Sequence, residues 1–214
     1  MYVYDEIGAS WDGSGITATS VAQALKDIGT VDTLDVYVNS PGGEVFEGIA
    51  IYNQLKRNAA KKIVHIDGIA ASIASVIAMA GDEILMAENA TMMIHQAWGL
   101  AIGTADDMRS TAGSLDKIDE VILNTYVSRT GGDAKKIAAM VKAETWMNAT
   151  EALELGFATK TTDAKNMRAE FPLLAKFKRT PPELRRQAKQ PDLLRARMDM
   201  RTSHLKRRPA GATA

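Results

Sequence analysis

Two residues have the types and spacing to do chemistry. Ser72 closes the small-residue run Gly68-Ile69-Ala70-Ala71-Ser72 and opens an apolar stretch, Ile73-Ala74-Ser75-Val76-Ile77-Ala78. His95 ends a short apolar run, Met92-Met93-Ile94-His95. A serine at a strand-to-helix turn presents its hydroxyl at a helix N-terminus. A histidine ending a later strand can take that hydroxyl's proton, which is the pairing nucleophilic acyl transfer needs. Upstream lies a third piece, Asn39-Ser40-Pro41-Gly42-Gly43, a turn whose glycines leave backbone N–H groups free to hold an oxyanion. Each piece alone has a plainer reading: small-residue packing, a satisfied core histidine, an ordinary turn. Their order, each at the end of a strand-like run, favours the chemical one.

The elements that must position them alternate. Tyr2-Val3-Tyr4, Leu34-Asp35-Val36-Tyr37-Val38, Ile63-Val64-His65-Ile66, Glu83-Ile84-Leu85-Met86 and Thr91-Met92-Met93-Ile94 read as strands. Val21, Leu25 and Ile28 share a helix face, with Thr17 or Thr19 as its N-cap. Val45, Ile49, Tyr52 and Leu55 mark a second helix, and the Ser72 segment a third. A long helix is expected from about Thr104 to Arg129, stopped by Gly131-Gly132. Its Met108, Leu115, Ile118 and Ile122 are spaced like a seam for a partner helix, or for packing on its own domain. A last short helix, Ala152 to Leu155, follows Asn148-Ala149-Thr150-Glu151. Strands alternating with helices predict an α/β fold.

Composition narrows the options. At 46% hydrophobic, the 214 residues can build a core, and no cysteine is present to serve as a thiol nucleophile, disulfide or metal ligand. Three histidines leave little for a histidine-rich metal site. No apolar run has the length of a membrane span, and the N-terminus does not read as a secretory signal. The zero net charge hides a split. Residues 1–162 hold 12 Lys and Arg against 21 Asp and Glu, whereas residues 163–214 hold 14 against 5. This predicts an acidic folded domain over 1–162. The basic appendage over 163–214, with Pro172, Pro181-Pro182, Pro191 and Pro209, reads as largely disordered or as folding on a partner. Nucleic acid is a weak candidate for that partner, since the tail has no aromatic interleaving.

Five segments in order resemble the ClpP family of serine peptidases. They are Tyr37-Val38-Asn39-Ser40-Pro41-Gly42-Gly43, Gly68-Ile69-Ala70-Ala71-Ser72, Met93-Ile94-His95-Gln96, Thr130-Gly131, and Trp146-Met147-Asn148-Ala149-Thr150-Glu151-Ala152-Leu153-Glu154-Leu155-Gly156-Phe157. The resemblance covers roughly residues 1–160. It implies a ClpP/crotonase-like fold of repeated strand-strand-helix units with a protruding long helix, and a homo-oligomeric ring acting on protein or peptide substrates without a cofactor. It makes Ser72 the nucleophile, His95 the general base, and Gly43 and Ile73 the oxyanion-hole donors. The family's third triad member is usually an aspartate. The matching position here is Glu144, which is expected to accept the imidazole N–H.

The chain also departs from the family. It starts almost at the first core strand, where family members carry an entrance-pore segment that helps dock an ATP-driven unfoldase, and it adds the basic tail. Both features look more like the ClpP-like head maturation proteases of tailed phages and prophages. The expectation is then an ATP-independent serine endopeptidase in the cytoplasm of an infected bacterial host, or inside its procapsid. Its tail would dock on a scaffold or capsid protein, and peptide cleavage would survive truncation at Thr162. Rival readings are a ClpP-type subunit serving an unfoldase, and an inactive assembly scaffold keeping the fold. Crotonase-type enzymes with carboxylate chemistry and signal-peptide-peptidase-type proteases with a lysine base are two more, and His95 argues against both of these.

Overall fold

In the computed structural model, residues 1–9, 14–164 and 171–185 are described. A mostly parallel sheet forms the centre. β1 (Tyr2–Val3), β2 (Thr33–Ser40), β3 (Lys61–Ala71), β4 (Glu83–Ala87) and β7 (Lys160–Thr162) lie side by side in that order, all parallel. β3 runs well past the predicted Ile66. Its first half pairs with β4, and its last three residues, Ile69 to Ala71, pair with β5 (Thr91–Ile94). The antiparallel β6 (Thr145–Asn148) then covers the far side of β5.

The connecting helices explain the parallel order, since a parallel pair needs a crossover. α1 (Ala18–Ile28) links β1 to β2, α2 (Val45–Arg57) links β2 to β3, and α3 (Ile73–Ala78) follows β3. Of the two candidate caps Thr17 and Thr19, it is Thr17 that caps α1: its side chain accepts from Ser20 N and the Ser20 hydroxyl accepts from Thr17 N. Val36, Val38, Val64, Ile66, Ile84 and Met86 are buried, forming the core with Ile51, Leu55 and Ile77 from the helices. The strand residues among these alternate along their strands and so share one face of the sheet, while Tyr37, His65 and Leu85 on the opposite face are half-buried.

α4 (Ala105–Thr130) is the predicted long helix. Its two ends live differently. Ile122 is 5% exposed and Tyr126 1%, both in the body's core, whereas Met108 is 50% exposed. The apolar stripe is therefore not one seam: its C-terminal part packs on its own domain and only its N-terminal part projects. Four elements escaped the sequence reading: α5 (Ala134–Lys142), the strands β6 and β7, and a 3₁₀ turn over Pro172–Lys176, after which comes the short α7 (Pro182–Arg185). The short α6 (Ala149–Glu154) was expected, and starts at the Asn148 cap. Among the described residues no helix is long and apolar enough to cross a membrane.

The tail does not lose contact with the body at Thr162. Leu174 and Phe177 are buried against Ile69, Ala71 and Met93, so the segment around them has an apolar anchor despite its charge. Residues 165–170 and 186–214, which carry most of the tail's arginines, lie outside the described residues.

Candidate active site

The parallel pairing of β3 and β5 brings Ser72 and His95 together. Ala71 is in register with Met93, so each chemical residue lies just past the end of its strand on neighbouring strands. Ser72 itself turns sharply, at φ 55° and ψ −131°. A non-glycine residue in a sparsely populated region costs on the order of 1–3 kcal/mol and persists only where its surroundings over-determine it. Here they do. Ser72 N–H donates to Met93 O at 2.9 Å, and Ser72 O accepts both Ser75 N–H at 3.0 Å and the Ser75 hydroxyl at 2.6 Å. The turn leaves Ser72 Oγ 2.7 Å from Nε2 of His95.

The glycine turn closes over this pair. Gly42 and Gly43 take φ of 92° and 149°, where side chains are strained. A Cβ on Gly42 would come within 2.6 Å of Ser72 Cβ, and one on Gly43 within 2.0 Å of Ile7 O. Only glycine lets the chain pass this close to the serine. Among the described residues neither the Gly43 N–H nor the Ile73 N–H donates a hydrogen bond. Gly43, Ser72 and His95 line one cleft of about 470 Å³, walled by Phe46, Leu115 and Ile118.

Glu144 arrives by the antiparallel pairing. Ile94 is in register with Thr145, so the next residues outward are His95 and Glu144. The glutamate backbone then bends away at φ 52°. Its carboxylate accepts N–H bonds from Lys178 at 2.8 Å, Arg179 at 2.5 Å and the Trp146 indole at 3.3 Å. Among the described residues the imidazole's hydrogen bond is the one to Ser72. Glu144 acts on His95 through its charge instead. Burial holds the imidazole below its ordinary value, and the negative charges of Glu144 and Asp119 oppose that shift. A neutral imidazole is the form that can accept a serine proton.

Several residues here went unnoticed in the sequence. Asp119 on α4 accepts from Ala97 N–H at 2.7 Å and Gln96 Nε2 at 2.9 Å, tying the loop after His95 to the helix. The Ser75 hydroxyl also meets the Tyr126 hydroxyl at 2.8 Å. Phe177 packs edge-on against His95, with ring centroids 5.1 Å apart. Ser75 lay within the quoted small-residue run and Phe177 within the apolar spacing 173–177; Asp119 had no signal beyond its helix.

A serine and an imidazole at hydrogen-bond distance, beside two N–H groups that have no partner among the described residues, form a constellation for acyl transfer. The profile of the Clp protease family matches residues 16–165. The chain belongs to the Clp protease family. It is therefore a peptidase by kinship, and its mostly parallel α/β body is ClpP-like. Among its relatives is an ATP-dependent Clp protease proteolytic subunit of Bacteroides fragilis, 32% identical over 145 residues, which span 65% of this chain and 70% of the relative. Another is the ATP-dependent Clp protease proteolytic subunit 1 of Chlamydia muridarum, 30% identical over 151 residues, 66% of this chain and 79% of that one.

Proposed function

We propose that the chain is a serine endopeptidase that works through an acyl-enzyme. The 2.7 Å contact between Ser72 Oγ and His95 Nε2, on a strained turn, carries this reading. Ser72 Oγ attacks the scissile carbonyl carbon while its proton passes to Nε2 of His95. The Gly43 and Ile73 N–H groups hold the oxyanion of the tetrahedral intermediate. His95 gives its proton to the leaving amine. Water then attacks the acyl-enzyme, the same imidazole takes the water's proton, and Ser72 leaves with that proton as the product acid departs. Glu144 supplies negative charge beside the imidazolium. The scheme uses no metal or organic cofactor. Ser72→Ala should abolish labelling by a fluorophosphonate with the circular dichroism spectrum unchanged; labelling that survives in this variant refutes the assignment.

The finer reading is a head maturation protease of a phage or prophage, acting without ATP in the host cytoplasm or procapsid. Its subunits form a homo-oligomeric ring, and its basic tail docks on a scaffold or capsid protein. The basic excess of residues 163–214, 14 Lys and Arg against 5 Asp and Glu, supports it, because such a segment suits an acidic partner surface. A mass-spectrometric cleavage map with scaffold and capsid proteins in the absence of ATP tests it. The names of the relatives favour a second reading, a proteolytic subunit that works with an ATP-driven unfoldase. Cleavage that appears only with such an ATPase decides for the second.

A further inference from the structure

Residues 171–180 return to the site from beyond the family match. Leu174 is fully buried and Phe177 is 5% exposed, in one cluster with Ile69, Ala71 and Met93. Those three are among the buried residues just ahead of Ser72 and His95 on β3 and β5. The Thr180 hydroxyl reaches back to Leu174 O at 2.7 Å, with Phe177 O at 3.3 Å, and closes the segment into a compact turn. Two further anchors hold it. Glu144 accepts the N–H groups of Lys178 and Arg179, and the Trp146 ring meets Phe177 at 6.2 Å and 64°. The outcome is that Phe177 is fixed edge-on to the His95 ring, at 5.1 Å and 74°.

An imidazole needs such a fixture. The torsion that swings a histidine ring is broad, so packing or a hydrogen bond must choose its orientation. For Nε2 to receive the serine proton, Nδ1 must carry the other one, and among the described residues no acceptor meets Nδ1. Orientation therefore falls to what packs on the ring, and Phe177 is the aromatic side chain there.

We propose that Phe177 is a positioning residue for His95, and that the strap 171–180, anchored by Glu144 and Trp146, completes the peptidase site. This rests on the reading of Ser72 and His95 as the catalytic pair. Phe177 holds the ring over Ser72 and keeps water from its edge. Glu144 thereby does two things: it places charge near the imidazole, and it grips the strap that orients it. The strap also borders both hollows beside His95, the cleft with Ser72 and a second of about 740 Å³ that includes Glu144.

The test follows fluorophosphonate labelling of the full chain against pH, with Ser72→Ala as the blank. In that reaction Ser72 Oγ bonds to phosphorus, fluoride leaves, and His95 takes the hydroxyl proton, so the rate reads the imidazole directly. The charged groups around it are Glu144 and Asp119, with Lys142, Lys176 and Lys178 on the side of the larger hollow and Glu6 and Glu44 across the cleft. None of them is altered. In Phe177→Ala the maximal labelling rate should fall on the order of 10-fold or more, since a misplaced group loses its near-attack geometry. Probe affinity should change less. The acid limb of the profile should move up by about half a pH unit or more as the ring gains water. Phe177→Leu, which keeps apolar bulk and the fold, should fall between. A folded Phe177→Ala with an unmoved limb and rate overturns the proposal, as does faster labelling, which would make the strap a cover. Should Phe177→Ala fail to fold, Phe177→Leu is read by the same criterion. Labelling that persists in Ser72→Ala fails the catalytic assignment instead and leaves a different signature.

Discussion

Behind Ser72 lies a buried pair whose hydrogen-bond direction is forced. Ser75 has one hydroxyl proton, and it goes to Ser72 O at 2.6 Å, because a carbonyl can only accept. The Tyr126 hydroxyl, 2.8 Å from Ser75 Oγ, must then be the donor in their contact. Burial pushes the Tyr126 pKa well up, so the phenol keeps this proton at any working pH. Tyr126→Phe removes one donor and leaves Ser75 still bonded to Ser72, a loss of about 1 kcal/mol. Ser75→Ala is worse. It strips one of the two donors from the strained Ser72 carbonyl and orphans a phenol on a residue 1% exposed, for about 2–3 kcal/mol. The double variant leaves no orphan, so its cost should match Ser75→Ala or fall below it rather than equal the sum. At about 2–4 °C per kcal/mol for a domain of this size, melting temperatures should drop about 2–4 °C for Tyr126→Phe and about 4–12 °C for Ser75→Ala. The double variant should sit no lower than Ser75→Ala. Thermal unfolding at one fixed protein concentration measures this, since subunit association shifts the midpoint. An additive double variant, or a Tyr126→Phe more damaging than Ser75→Ala, refutes the assigned direction.

Other outcomes follow from the same geometry. Because burial lowers the His95 pKa, the acid limb of fluorophosphonate labelling should lie below the ordinary histidine value of 6.5, with activity lost as pH falls through it. Glu144→Gln removes a charge that raises that pKa, so the limb should move to lower pH, opposite in sign to Phe177→Ala. Its rate loss should stay well short of the roughly 10⁴-fold that a hydrogen-bonded triad aspartate commands, because the carboxylate does not hold the imidazole. A chain ending at Arg185 should label like the full protein, whereas one ending at Thr162 bares Ile69, Ala71 and Met93 and should lose most of its labelling. Met108→Asp, on the projecting part of α4, should give smaller particles in sedimentation if that end makes the ring contact. Ile122→Asp, in the core, should unfold the subunit instead.

What was legible in the sequence was what short-range pattern encodes. The Gly42-Gly43 turn, the small residues before Ser72 and the apolar run before His95 each announced a local backbone requirement, and parallel strands then bring their C-terminal ends together. Glu144 was legible only through the family resemblance, because β6, whose register of Ile94 with Thr145 puts this residue across from His95, was not read from the sequence. Two of its partners were not legible, because they come from Lys178 and Arg179, 34 and 35 residues away, through main-chain N–H groups that carry no residue code. The strap was hidden by its neighbours. Phe171, Leu173, Leu174 and Phe177 form an apolar patch of their own, but they stand among prolines and basic residues whose composition reads as unfolded. Three or four apolar side chains cannot order a segment in isolation. They can when strand ends beside a nucleophile offer a matching apolar surface, and Ile69, Ala71 and Met93 offer one. On the proposed reading the site divides its labour: the family-matched body carries Ser72 and His95, and the segment outside the match sets how the imidazole is held.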